Sequence, residues 1–264
     1  MTTREANGAA PTQGRRFEGQ VAIVTGSAWG LGRNHAERLA AEGARLVLCD
    51  ILEDMVAETA ASLPDAISIK CDVSDPDDVA RMVEAALATY GRIDILVNNA
   101  GGAIGSAKPF WDVPNDEWNT IIDVNLRGAW LCTKAVLPAM REAGRGKIVN
   151  ITSTAALRAV PGRGVYGAAK GGVISLTYTM ANEVGPFGIT INLVAPGLVE
   201  VPHPKKTFTA EDYELMKAGA IAAQPIKRVC HMNDISDAVL FLASAESDFI
   251  TGQTLAVNGG EFSH

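Results

Sequence analysis

With 264 residues, 47% hydrophobic and 20% charged, the chain is long enough for one large domain with a substantial buried core. Its formal net charge of -7 argues against nucleic acid or an anionic membrane surface as partner, since both favour basic patches. Cys49, Cys71, Cys132 and Cys230 form no CxxC pair, and His35, His203, His231 and His264 show no compact ligand spacing, so neither a metal site nor a disulfide framework is expected.

Residues 1–15, MTTREANGAAPTQGR, read as a flexible N-terminal tail that lacks the apolar stretch of a signal peptide. No apolar run approaches the roughly 20 residues that span a bilayer, and the cytoplasm is the expected location. Residues 16–264 are expected to form a single dinucleotide-binding and catalytic domain.

QVAIVT, from Gln20 to Thr25, is an apolar run without alternation, as in a strand covered on both faces of a parallel sheet. The glycines of TGSAWGLG, Gly26, Gly30 and Gly32, follow at once and open into the helical pattern RNHAERLAAEG. Such a turn lets backbone approach a pyrophosphate, whose charge the helix N-terminus favours. ARLVLCD is a second strand ending in Asp50. A carboxylate there accepts hydrogen bonds from ribose hydroxyls and repels a 2′-phosphate, so the cofactor is expected to be NAD; Arg33 is placed on the solvent side of the helix.

A third strand, AISIKCDV, is expected to end at Asp72 and Val73, with Ser74 or Asp75 capping the next helix; Asp72 is a candidate for adenine contact or, equally, a turn carboxylate. RIDILVNNAGG is a fourth strand whose polar ending at Asn98, Asn99, Ala100 and Gly101 suits the ligand edge of an open α/β sheet. In GVYGAAKGGVISLTYTMANEV, a helix puts Tyr166 and Lys170 on one face. The ammonium then favours the phenolate of a group that ordinarily titrates near ~10, and Ser153, upstream, is the companion donor.

Together these segments resemble the short-chain dehydrogenase/reductase family from about Gln20 to Gly260. TGSAWGLG, NNAG at 98–101, VNL around Asn125, ITS ending in Ser153, YGAAK at 166–170 and APG at 195–197 fall in that family's order. The resemblance implies a doubly wound Rossmann-like α/β domain with about seven parallel strands flanked by helices. Tyr166 would be the acid/base, Lys170 would hold the nicotinamide ribose and lower the Tyr166 pKa, Ser153 would bind the substrate oxygen, and Asn125 would hold a proton-relaying water. The cofactor-binding set it implies is Gly26, Ser27, Trp29, Gly30, Leu31, Asp50, Asp72, Val73, Asn99, Ala100, Gly101, Tyr166, Lys170, Pro196, Gly197 and Val199. One departure is Val201, where the family often has a threonine that contacts the carboxamide. A homotetramer is implied, with subunit contacts from helices around 115–142 and 164–186 and from the C-terminal part.

A substrate lid is expected at about 200–226, where Thr209 is a candidate helix cap. Arg158, Arg163, Lys205 and Lys206, with His203 and Ser153, are candidates to meet an anionic small-molecule substrate. The alternative is a neutral cyclic or aryl secondary alcohol held by Phe110, Trp111, Trp118 or Phe208. The expected reaction is NAD-dependent interconversion of a secondary alcohol and its ketone; the alternatives are an NADPH-dependent 3-oxoacyl thioester reductase and, more remotely, a non-catalytic dinucleotide sensor.

Overall fold

Every residue of the first strand, β1 (Val21–Thr25), is buried, and alternate side chains feed opposite cores: Ala22 and Val24 one, Val21 and Ile23 the other. That is why an unbroken apolar run is a strand here. The computed structural model describes residues 15–105, 107–201 and 210–261. Almost all of the expected tail, and the lid residues 202–209, lie outside the described residues.

β1 is followed by α1 (Gly30–Ala41), β2 (Arg45–Asp50), α2 (Glu53–Ala61), β3 (Ala66–Lys70), α3 (Pro76–Tyr90) and β4 (Ile95–Asn98). Then come α4 (Asn115–Ile122), α5 (Gly128–Ala143), β5 (Gly146–Ile151), α6 (Gly164–Val184) and β6 (Ile189–Pro196). The chain continues through β7 (Val199–Glu200), α7 (Ala210–Ala223), β8 (Cys230–His231), α8 (Met232–Ala243) and β9 (Thr254–Val257). Seven strands form one sheet in the order β3-β2-β1-β4-β5-β6-β9, every pairing parallel, as the sequence predicts. β7 and β8 pair separately.

On one face α1, α2 and α8 supply Leu39, Val56 and Val239; on the other α3, α5 and α6 supply Met82, Met140 and Val184. Each fully buried side chain of this size contributes about 1.5–3 kcal/mol of transfer free energy. Helices on both faces leave only the strand ends open, and the order reverses between β1 and β4, where such sheets bind ligands.

Two local features differ from the expectation. β3 stops at Lys70 rather than running to Val73, because Asp72 turns the chain: its Oδ1 accepts from Ser74 N at 2.9 Å and from Ser74 Oγ at 2.6 Å. Of the two caps expected for α3, Asp75 is the one formed, accepting from Asp77 N ahead of Pro76. The long helix expected across Asn125 is interrupted by a π-helical turn, Asp123–Arg127, where Gly128 N reaches Asp123 O.

Candidate active site

The C-terminal ends of β1, β2, β4 and β5 surround a cleft of about 750 Å³. One wall is the glycine turn. Gly26 (φ +65°) and Gly30 (φ +61°) adopt backbone that L side chains rarely take. A Cβ at Gly26 would lie 2.8 Å from Ala100 Cα, and one at Gly32 would lie 2.1 Å from Gly26 O. Asn99 fixes this turn by donating from Nδ2 to Thr25 O at 2.9 Å and Gly26 O at 3.0 Å. Thr25 Oγ1 in turn accepts from Asn99 N and Ala100 N. The result is a glycine-rich cradle at the N-terminus of α1, whose Gly30, Leu31 and Gly32 line the cleft. A diphosphate needs such a cradle, and the residues fit a dinucleotide.

Asp50, which ends β2, closes one end of the cleft. It is 8% exposed, and its carboxylate accepts from Ala28 N at 3.1 Å and Leu52 N at 3.0 Å. One lone pair on each oxygen is left for a ligand in the cleft it lines. Arg33 pairs with Glu37 at 2.9 Å and does not line the cleft, in keeping with its expected solvent position. Asp72, Val73 and Trp29 line the cleft, although the Asp72 carboxylate is already engaged by Ser74. Ser27 departs from the expected set: fully buried, it donates from Oγ to Cys49 O at 3.3 Å and stands behind the wall.

Across the cleft α6 presents Tyr166 and Lys170, with the ammonium 5.9 Å from the phenol ring centroid. Lys170 is 3% exposed and donates to Ile151 O at 2.9 Å; burial pushes its pKa down to about 8. Burial also raises the Tyr166 pKa, opposed by the hydrogen bond with Ser153 and the charge of Arg163. Removal of the phenol from water thus outweighs both of those opposing effects in the free protein. Ser153, two residues past the end of β5, caps the following 3-10 turn, Oγ accepting from Ala155 N at 3.1 Å.

The π turn brings in Asn125. Its Oδ1 accepts from Gly102 N at 2.9 Å, and its Nδ2 donates to Gly102 O and Ile121 O. A Cβ at Gly101 (φ +142°) would lie 2.4 Å from Asn125 Oδ1 and 3.1 Å from Lys170 Nζ, so glycine is required where the two side chains converge. Pro196, Gly197, Val199 and Val201 complete the lining, and Val201 faces Gly30: a Cβ there would lie 2.9 Å from Val201 Cγ1.

Beyond Gly101, the cleft is lined by Gly102, Ile104, Thr120 and Val124. Of the proposed cations, Arg158 and Arg163 are not brought there. Arg158 pairs with Glu261 at 2.8 Å, Arg163 donates to Gly105 O at 3.2 Å, and neither lines the cleft. Phe110 and Trp111 stack edge to face, 76% and 71% exposed, and with Trp118 lie off the lining. His203, Lys205, Lys206, Phe208 and Thr209 lie outside the described residues. Sequence reasoning missed Ile104, Thr120 and Val124, which carry no local signal. It also missed Thr25 and Thr152, the latter holding Lys170 O at 2.9 Å; a hydroxyl ending an otherwise apolar strand was the available clue.

The chain is similar over most of its length to known proteins. A family model described as Enoyl-(Acyl carrier protein) reductase matches residues 26–261. The chain is 41% identical over 256 residues to trans-4-hydroxycyclohexanecarboxylate dehydrogenase of Sinomonas cyclohexanicum, covering 93% of this chain and 94% of that protein. It is 37% identical over 247 residues to the 3-oxoacyl-[acyl-carrier-protein] reductase FabG of Escherichia coli, covering 93% and 98%. The crystal structure of levodione reductase superposes with a TM-score of 0.84 at 35% identity, covering 93% of this chain and 98% of that one.

Proposed function

Because the chain belongs to the short-chain dehydrogenase/reductase family and is thus an oxidoreductase of nicotinamide dinucleotides, we propose that it interconverts a cyclic secondary alcohol and its ketone with NAD. The observation that carries this reading is Asp50, a buried carboxylate lining the adenosine end of the cleft that holds Ser153, Tyr166 and Lys170. A 2′-phosphate beside it meets like charge, and Arg33, the cation directly after the glycine turn, is committed to Glu37.

When bound, the dinucleotide accepts or supplies the hydride. Tyr166 takes the hydroxyl proton of the alcohol in oxidation and returns it to the carbonyl oxygen in reduction. Ser153, in hydrogen-bond contact with that phenol, donates to the same substrate oxygen and stabilises the charge developing there. Lys170 is held by Ile151 O and Thr152, which keeps its ammonium beside Tyr166 and the ribose side of the cleft. Asn125 orients the 101–102 backbone and offers a polar route for the proton away from Lys170.

The substrate-end lining of Ile104, Val124 and Gly102 favours an apolar ring over an extended polar chain, and one relative's name carries a hydroxylated cyclohexane ring. A second reading, 3-oxoacyl thioester reduction with NADPH, draws support from the FabG relatives but has Asp50 against it. The assembly we infer is a cytoplasmic homotetramer: large exposed apolar side chains, Trp130 on α5, Tyr178 on α6 and Phe249 after α8, fall in the three regions named from sequence. No helix among the described residues is long and apolar enough to cross a membrane.

The test is nucleotide reduction with NAD⁺ and with NADP⁺ on cyclic secondary alcohols, each neutral compound paired with its carboxylated analogue, beside NADPH oxidation on a 3-oxoacyl thioester. NAD⁺-dependent oxidation of ring alcohols is expected. Faster NADPH-dependent thioester reduction refutes the reading in favour of the second.

A further inference from the structure

Arg158 and Glu261 lie outside the cleft, yet they join two parts of the molecule that the reaction uses. Arg158 ends the turn that Ser153 begins. Ala156 N donates to Ser153 O, and Leu157 N and Arg158 N both donate to Thr154 O, so 153–158 moves as a unit. That unit is seated on α6: a Cβ at Gly167, one residue after Tyr166, would lie 2.8 Å from Ala155 O.

Glu261 belongs to the other side. After β9 the backbone bends through Gly259 (φ +62°) and Gly260 (φ +81°) and is pressed onto the exit of α7. A Cβ at Gly259 would lie 3.0 Å from the Gln224 side chain, and one at Gly260 would lie 3.0 Å from Pro225 Cγ; Ile226 N donates to Gly259 O at 3.0 Å. The same segment touches the cleft floor, where Gly197 N donates to Val257 O. From this base the Glu261 side chain, 8% exposed, reaches Arg158 at 2.8 Å. A carboxylate so withdrawn from water depends on a charged partner to stay there.

We propose that the Arg158–Glu261 pair is a positioning clasp that ties the base of α7 to the turn carrying Ser153, so that the lid side and the catalytic hydroxyl hold one relative geometry. The pair touches neither substrate nor cofactor and acts through Ser153. The proposal rests on the secondary-alcohol reading for its kinetic readout, and hydrogen exchange supplies a readout that does not.

The experiment compares Arg158→Ala, Glu261→Ala, Glu261→Gln and the double alanine variant with the wild type. It measures kcat and KM on the best ring alcohol, NADH affinity by fluorescence, and amide exchange over 153–158 and 219–226. Each single alanine variant is expected to lower kcat about tenfold by misplacing Ser153, with NADH affinity unchanged within about twofold. The double variant is expected to be no worse than either single one, and Glu261→Gln to retain part of the rate. Exchange should quicken in both segments whichever partner is removed. Additive losses, quickening confined to the mutated segment, or a fall in NADH affinity would overturn the clasp. So would an Arg158→Ala defect seen only in KM for the carboxylated analogue, which makes Arg158 a substrate ligand. If the wild type oxidises no alcohol the proposed reaction fails, while the exchange data still decide on the clasp.

Discussion

His35 should make the protein lose stability as the pH falls through a window in which few other groups titrate. It lies on α1, fully buried against α8. Ser236 Oγ donates to Asn34 Oδ1 at 2.5 Å, so the 2.7 Å contact of His35 Nδ1 with Ser236 Oγ has the ring donating. Nε2 is then a bare nitrogen with no hydrogen-bond partner among the described residues. Protonation would place a charge there with nothing to accept it, and burial accordingly pushes the pKa from 6.5 to about 3. The unfolded chain binds this proton below ~6.5 and the folded one does not. The stabilising difference is complete above ~6.5 and is lost as the pH falls towards about 3. With these two values, RT ln[(1 + 10^1.5)/(1 + 10^-2)] is about 2 kcal/mol at pH 5, and less than ~0.1 kcal/mol at pH 7.5. Asp234 is held at about 2 by Arg228 and Glu42 is lowered by Arg16, so the stability these carboxylates contribute is lost only as the pH falls through and below the ordinary carboxylate range, under the pH 7.5–5 interval. Urea unfolding at pH 7.5, 6 and 5 and fixed protein concentration measures the loss, and His35→Gln should abolish about 2 kcal/mol of it. Parallel curves for wild type and variant, or an NMR titration of His35 near 6.5, would refute the reasoning.

Replacing Tyr166 by Phe removes the proton-exchanging hydroxyl and should cost a factor of about 10²–10⁴ in turnover while NADH still binds; retained turnover contradicts its role. Because burial raises the Tyr166 pKa and oxidation requires the deprotonated form, kcat/KM for the alcohol should climb towards alkaline pH while ketone reduction falls. A flat profile in both directions removes Tyr166 as the base. Asp50→Ala takes away the like charge facing a 2′-phosphate and should narrow the NAD/NADP preference by about tenfold or more, read from kcat/KM for the two cofactors. An unchanged ratio means the carboxylate does not face the ribose.

The parts of this protein that the sequence alone determined are those written into a few adjacent residues. The glycine turn 26–32 is legible because only glycine tolerates φ near +60° and so close an approach to Ala100. Asp50 is legible as a charge ending an apolar strand, and the helix over 164–184 holds Tyr166 and Lys170 on one face by the 3.6-residue period alone. What only the tertiary structure decided are quantities set by partners distant in the chain. The π turn that turns Asn125 towards Gly102 is one, since a helical pattern does not reveal a one-residue slip in its hydrogen bonds. The capture of Arg158 by Glu261, far along the chain, is another; spacing offered that arginine equally to a substrate. The third is the balance of pKa at Tyr166. The burial that raises it, and the Ser153 hydrogen bond and Arg163 charge that oppose it, exist only once the sheet, α6 and the 153–158 turn have closed around the phenol.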